Sequence, residues 1–259
     1  MNRLIRNAPQ KIFLTTVYLA LYIPMLILIV YSMNSSKFSL QWHGFSFHWY
    51  TELFIDRALW EAFSHSFILG IIAAAVATIL SLFTCTYLFL FKSRHQSIIT
   101  ALLLLLIIIP DLVLGIALLI FFNVTGITLG FCSLLIAHIT FCIPFAIITI
   151  NIRLKTLDPN IYFSALDLGA TPYFSLVHIL LPLLWPAILS SFLLSFTLSF
   201  DDVIISYFVA GPSYNILPLT IYSLVRTGIT PELNALCSIT LIISIILVII
   251  AHRLTGRAI

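Results

Sequence analysis

Three carboxylates stand where a carboxylate is hardest to keep. Asp111 follows Pro110 inside one long apolar run, and Asp201-Asp202 lie inside another, directly after Leu198-Ser199-Phe200. An acid at the centre of a bilayer costs about 2.5 to 3.5 kcal/mol on insertion scales, so such groups face a bundle interior or an aqueous path. Three of the nine acidic residues are placed this way. The chemistry they offer is cation binding. Aromatic faces at Trp49, Phe200 and Tyr207 add cation–π attraction of about 0.5 to 2 kcal/mol each where they point inward. A plainer reading stands beside this one: Asp111 caps the backbone broken by Pro110, and Asp201 or Asp202 ends a helix in water. Two adjacent acids on one helix point in different directions and repel each other when both are charged, so a nearby cation stabilises the pair.

The elements that must hold these acids are set by composition. Of 259 residues, 61% are hydrophobic, 8% are charged and 21 are Phe. That balance excludes a water-soluble domain of this size and identifies an integral membrane protein. A net charge of +3 with basic residues dispersed near segment ends excludes a nucleic-acid surface. Apolar runs lie at Ile12 to Tyr31, Phe67 to Phe91, Ile98 to Phe121, Leu129 to Ile150, Leu183 to Phe208 and Leu233 to Ala251. Each is long enough for a hydrocarbon layer of roughly 30 Å, which takes about 20 helical residues. Continuous runs exclude a barrel, whose strands alternate, and open strands leave backbone groups without partners in lipid. The expectation is an all-α polytopic protein with six transmembrane helices, forming one transmembrane domain over residues 1–259.

Orientation follows from the basic residues. Arg3, Arg6, Lys11, Lys92, Arg94, Arg153, Lys155, Arg253 and Arg257 all fall on one side of the six crossings, and only Lys37, Arg57 and Arg226 fall on the other. The positive-inside rule then places both termini in the cytoplasm. The first run exceeds an ordinary signal-peptide core and lacks a clear small-residue cleavage site near Met33, so it reads as a retained helix. At a rise of 1.5 Å per residue from the cytoplasmic helix ends, Asp111 lies about 20 Å and Asp201 about 27 Å across, in the outer half.

Two external segments carry their own signals. Phe47 to Phe63 mixes Trp49, Tyr50, Phe54 and Trp60 with Glu52, Asp56, Arg57 and Glu61, a composition suited to a helix lying at the membrane surface. Gly211 to Glu232 places the short apolar run Leu217 to Val225 between turn formers, including Gly211-Pro212-Ser213, and suits part of an outer gate. His138 and His65 lack partners at metal-ligand spacing and read as satisfied core or interface residues. Cys85, Cys132, Cys142 and Cys237 are far apart and read as small buried residues. No Walker-type phosphate loop and no hydrolase or zinc-protease motif occurs, so the chain cannot hydrolyse ATP by itself.

The remaining signal is a polar-tinged loop, Tyr162 to Pro182, which follows Arg153 and Lys155 and therefore faces the cytoplasm, open to a soluble partner. Within it, Asp167-Leu168-Gly169-Ala170 is followed by Ile179 and then Leu181-Pro182. This pattern resembles the EAA loop of ABC-importer permeases: Gly169 stands four residues after Ala165, and the distal Ile-x-Leu-Pro is present. Phe163 occupies the family's Glu position and Ser164 its first Ala. Further segments look like the C-type permease subunits of spermidine/putrescine importers, over nearly the whole chain. They are Tyr22-Ile23-Pro24, Asn34-Ser35-Ser36, Ser133-Leu134-Leu135, His138 to Cys142, Leu194 to Ser199 with Asp201-Asp202, and Gly211 to Tyr214 with Ile216 to Leu219.

The resemblance implies the type I ABC-importer permease fold and half of a translocation path for polyamines. It implies substrate-path roles for Trp49, Asp111, Asp201 and Asp202, and ATPase coupling through Phe163, Ser164, Ala165, Asp167, Gly169 and Pro182. The implied partners are a second homologous permease subunit, an ATPase dimer and a periplasmic or lipid-anchored polyamine-binding protein, all at a bacterial inner membrane. No cofactor or metal is expected in this chain, which is not itself an enzyme; ATP and Mg belong to the partner ATPase. The rival reading is a stand-alone secondary transporter or channel for cations, which predicts function without an ATPase and an internal repeat. A membrane-embedded enzyme is disfavoured because no nucleophile, metal or acid–base set converges by spacing.

Overall fold

A computed structural model describes residues 8–36, 41–91, 96–158, 160–212, 214–228 and 231–255. Among them every regular element is helical, and an isolated antiparallel bridge pairs Asn34 with Phe45. Of the residues behind the orientation and turn assignments, Arg3, Arg6, Lys37, Lys92, Arg94, Ser213 and Arg257 lie outside the described set.

Four helical stretches are long and apolar enough to cross a membrane: Lys11–Tyr31, Arg57–Leu90, Phe131–Thr156 and Pro172–Phe200. A bent pair, Ser97–Ile108 with Asp111–Thr125, adds a further crossing if taken as one span, and Pro231–Ile246 is a shorter apolar helix. This set is compatible with six crossings, but two of the expected spans are not single straight rods.

The chain packs as two compact units, residues 1–60 with 221–247, and residues 61–220 with 248–259. In the first, helix α1 (Ala8–Tyr31) ends in a turn that the short helix α2 (His48–Ile55) is built to hold. Asn34 organises it: its side chain donates to the Gln41 carbonyl at 2.6 Å and accepts from the His43 amide at 3.0 Å. Ser32 Oγ and Tyr50 Oη add a contact of 2.6 Å. Asp56 then separates α2 from α3 (Arg57–Leu90) by accepting the Ala58 and Leu59 amides at 2.8 and 3.2 Å, an N-cap that starts α3 ten residues before the expected Phe67. The surface helix expected over Phe47 to Phe63 is therefore divided, its second half being the first turns of a spanning helix.

In the second unit, the expected span Ile98 to Phe121 is broken. Helix α4 (Gln96–Ile108) and helix α5 (Asp111–Thr125) meet at an angle of 108°. Pro110 causes this: it has no amide hydrogen, and it drives Ile109 out of helical geometry. Asp111 opens α5 beyond the bend, so counting rise along one straight helix does not give its depth. Helix α6 (Phe131–Thr156) runs through the centre of the unit, with Leu134, Ala137, His138, Cys142, Ala146 and Ile150 all buried.

After α6 come α7 (Asn160–Asp167) and α8 (Pro172–Ser175), a π-turn at Leu176–Leu180, α9 (Leu181–Phe200) and the short α10 (Ile204–Val209). The expected span Leu183 to Phe208 thus divides at Asp201–Val203. The π-turn ends two positions before Pro182, and its widened turn, closed by the Leu181 amide on the Leu176 carbonyl, makes room for a proline ring that would crowd an ordinary helical turn. Helix α11 (Leu217–Thr227) and helix α12 (Pro231–Thr255) complete the described chain. Leu69, Leu114, Phe122, Leu134, Ala137, Ile205 and Val209 form one core cluster, and Cys85, Ile147, Ile150, Leu154, Leu180 and Leu184 another. Gly115 lets α5 and α10 approach: a Cβ there would lie 2.9 Å from the Phe208 ring and 3.3 Å from Ile205 Cα.

Candidate functional site

The close approach of α5 to α10 brings the helix ends that carry the acids to one place. An open cleft of about 410 Å³ is lined by Asp111, Asp201 and Asp202, with Phe141, Thr197, Leu198, Val203 and Ile204. Residues 90 positions apart thus share a surface because α4 turns sharply at Pro110 and α9 stops at Phe200. Thr197 joins them from one turn before Asp201 on the same helix face, a spacing that was readable in the sequence.

The three acids differ in what they touch. Asp111 sits half-buried in the first turn of α5, where the helix dipole favours its negative charge. The α5 amides of Val113 and Leu114 go to the Pro110 carbonyl, not to the Asp111 side chain. Asp201 closes α9, its own amide donating to the Thr197 carbonyl at 3.1 Å, while its side chain is exposed and makes no hydrogen bond or ion pair among the described residues. Asp202 is buried and engaged. Its Oδ2 accepts from the Ser206 amide and hydroxyl, both at 2.8 Å, and its Oδ1 from the Ile205 amide at 3.3 Å. Asp201 is thus the exposed residue that ends a helix, while Asp202 is buried and accepts amides at the start of α10.

His138, from α6, completes that buried set. Its Nδ1 lies 2.7 Å from Ser199 Oγ, its Nε2 lies 2.9 Å from Ser206 Oγ, and Asp202 Oδ2 is 3.7 Å from Nε2. The histidine is satisfied, as its apolar setting in the sequence suggested, but by three polar side chains, of which Asp202 also lines the cleft. Nothing in the spacing of residues 138, 199, 202 and 206 announces this. Among the described residues no three His, Cys, Asp or Glu side chains gather closely enough to hold a metal ion. The cleft therefore offers carboxylates to a cation without the cage a bare metal requires.

Trp49 lies in the first unit. Its ring is buried and its indole nitrogen donates to the Asn34 carbonyl at 2.8 Å, so its polar atom is already committed.

The Tyr162 to Pro182 segment forms a helix–turn–helix although Phe163 replaces the family's Glu. Asp158 Oδ1 accepts the Asn160 amide at 2.9 Å just before α7. At the end of α7, Gly169 adopts φ +89°, its amide reaches the Leu166 carbonyl at 2.9 Å, and the Ala170 amide reaches the Ala165 carbonyl at 3.0 Å. This paired closure needs a left-handed residue, which is why glycine stands there. Thr171 then caps α8 by accepting the Phe174 amide at 3.2 Å, with Pro172 in the first turn. Phe163, Ser164, Asp167, Gly169 and Pro182 are exposed, whereas Ala165 is buried with Tyr162 against the rest of the motif. Leu168 at the tip is 89% exposed. The second arm is tied into the bundle: Leu180 and Leu184 pack on Ile150 and Leu154 of α6, and Arg153 Nε donates to the Leu183 carbonyl at 3.3 Å.

Residues 66–258 match the family described as binding-protein-dependent transport system inner membrane component. The chain is 44% identical over 257 residues to the spermidine/putrescine transport system permease protein PotC of Escherichia coli strain K12, covering 99% of this chain and 96% of that protein. It is 37% identical over 267 residues to the putrescine transport system permease protein PotI of the same strain, covering 100% and 95%. Among solved structures, a chain of a bacterial ABC transporter that imports the acidic polysaccharide alginate superposes with TM-score 0.74 at 15% identity, covering 98% of this chain and 96% of that one. A chain of the inward-facing MetNI methionine ABC transporter superposes with TM-score 0.62 at 14% identity, covering 81% and 98%. At those identities the likeness concerns the fold, which is that of ABC-importer permeases. An all-helical, multi-pass architecture, an exposed helix–turn–helix and near full-length relatives agree, and the chain belongs to the family of binding-protein-dependent transport-system inner-membrane components.

Proposed function

We propose that this chain is the transmembrane permease subunit of an ATP-driven polyamine importer, carried above all by its 44% identity, over nearly its whole length, to a spermidine/putrescine permease. It forms half of a translocation path as one transmembrane domain, beside a second homologous permease. An amine-binding protein, periplasmic or lipid-anchored, delivers a di- or tricationic amine to the outer face. Asp111 and Asp201 then replace water around its ammonium groups, a role their open carboxylates in an apolar cleft support. Weak, shared contacts suffice, because tight binding within the path would retard release.

Work enters from the ATPase dimer, which binds ATP and Mg. The α7–α8 turn docks on it, and the packing of Leu180 and Leu184 on α6 carries the displacement toward the helices that line the cleft. Both termini and the α7–α8 turn lie on the cytoplasmic side of the inner membrane.

Proteoliposomes test this reading. The chain alone is expected to move no labelled spermidine or putrescine; with the second permease, the ATPase and the amine-binding protein, the label is imported and the import requires ATP. Accumulation against a gradient by the chain alone would favour the secondary transporter or channel and end the importer reading. In the complete system, Asp111→Asn and Asp201→Asn are each expected to cut uptake at least about tenfold, the loss of one charge-assisted contact made in transit.

A further inference from the structure

We infer that His138, acting with Ser199 and Ser206, is a positioning group for substrate passage: it staples the break between α9 and α10 so that Asp202 is locked inward and Asp201 is held open to the cleft. The inference rests on the proposed polyamine path and adds residues that touch no substrate themselves. Between α9 and α10 the helix is interrupted at Asp201–Val203, although Asp201 and Val203 keep right-handed dihedrals, and such a break can swing unless both flanking helix ends are tied to one support. His138, 1% exposed on α6, supplies it. One ring nitrogen meets Ser199 in the last turn of α9 and the other meets Ser206 in α10, at 2.7 and 2.9 Å.

Proton counting fixes how the set works. The Ser206 hydroxyl has one hydrogen and gives it to Asp202 Oδ2 at 2.8 Å. It therefore meets His138 with a lone pair, so Nε2 must carry a hydrogen, and in the neutral ring Nδ1 accepts the Ser199 hydroxyl hydrogen. Every member has its partner, and exchanging any one leaves a buried donor or acceptor unpaired. With both oxygens of Asp202 held, the backbone at the break has little freedom left. The preceding carboxylate, Asp201, emerges on the cleft side near Thr197 and Asp111. A polyamine needs carboxylates at fixed spacing along its length, and fixed spacing is what the staple provides.

The test uses the complete reconstituted complex and reads labelled amine imported per ATP hydrolysed, normalised to assembled complex. A merely structural residue lowers uptake and hydrolysis together through the amount of complex; a positioning residue lowers the ratio. His138→Ala and Ser206→Ala are expected to reduce the ratio about threefold to tenfold, the range of one or two net hydrogen bonds. His138→Gln, which returns a donor near the Nε2 position, is expected to recover most of it. Should His138→Ala fail to assemble, Ser206→Ala and His138→Gln decide alone, since both keep a polar side chain at position 138 and open a smaller space. An unchanged ratio in Ser206→Ala and His138→Ala, while Asp201→Asn abolishes uptake, overturns the staple and leaves the cleft reading standing. Normal uptake in both Asp201→Asn and Asp111→Asn instead removes the cleft reading, and the staple with it.

Discussion

Asp201 and Asp202 are adjacent in sequence and border one cleft with different engagement: Asp202 is buried and accepts three hydrogen bonds, while Asp201 is exposed and makes none among the described residues. The difference follows from where the helices end: Asp201 closes α9, whereas Asp202 precedes α10 and accepts the Ile205 and Ser206 amides. Trp49 poses a related question in the first unit. Its indole is buried and donates to Asn34, which makes a bracing role measurable separately from a transport role. Trp49→Phe keeps most of the apolar contact and removes the donor. The expected outcome is a loss of about 0.5 to 1.5 kcal/mol in thermal stability of the purified protein, with amine uptake per assembled complex unchanged. A large loss of uptake at unchanged stability would instead assign the indole to the substrate path.

At the scale of elements, two breaks bring the acids together, and Gly115 permits the approach of the helices that follow them. Pro110 turns α4 into α5, the Asp201–Val203 break turns α9 into α10, and α5 and α10 then lie in contact through Gly115. Gly115→Ala places a methyl 2.9 Å from the Phe208 ring and 3.3 Å from the Ile205 backbone, so the ring must shift and the two helices must ease apart slightly. The expected cost is about 1 to 3 kcal/mol in thermal unfolding, partly relieved by adding Phe208→Leu. If Gly115→Ala left both stability and uptake untouched, the two helices would not be as tightly matched as this contact requires.

For the whole molecule, the side on which the α7–α8 turn lies decides whether it can meet an ATPase. Leu168 is 89% exposed at its tip, and Cys132 is an exposed native thiol while Cys85 and Cys142 are buried. A Leu168→Cys variant in a Cys132→Ser background is expected to react with a membrane-impermeant maleimide in inside-out vesicles and not in intact cells, and to be shielded when the ATPase is present. Labelling in intact cells would place the turn outside and contradict the topology drawn from Arg153 and Lys155.

Much of this protein was legible one residue after another. Hydrophobic runs of spanning length, Gly169 with its turn and the Ile-x-Leu-Pro that follows are all local sums or local patterns, and hydropathy and φ preference act locally. The helix–turn–helix survives Phe163 for the same reason: its geometry rests on backbone closure at Gly169 and the Thr171 cap, not on the side chain at position 163. Continuous apolar runs, however, concealed the bend at Pro110 and the break at Asp201–Val203, because a broken helix in a membrane stays apolar when protein satisfies its freed backbone groups. Only the folded chain decided which carboxylate is free. That outcome depends on His138 reaching Ser199 and Ser206 across 61 and 68 positions, a matter of which helix faces cross, and no window of sequence contains it.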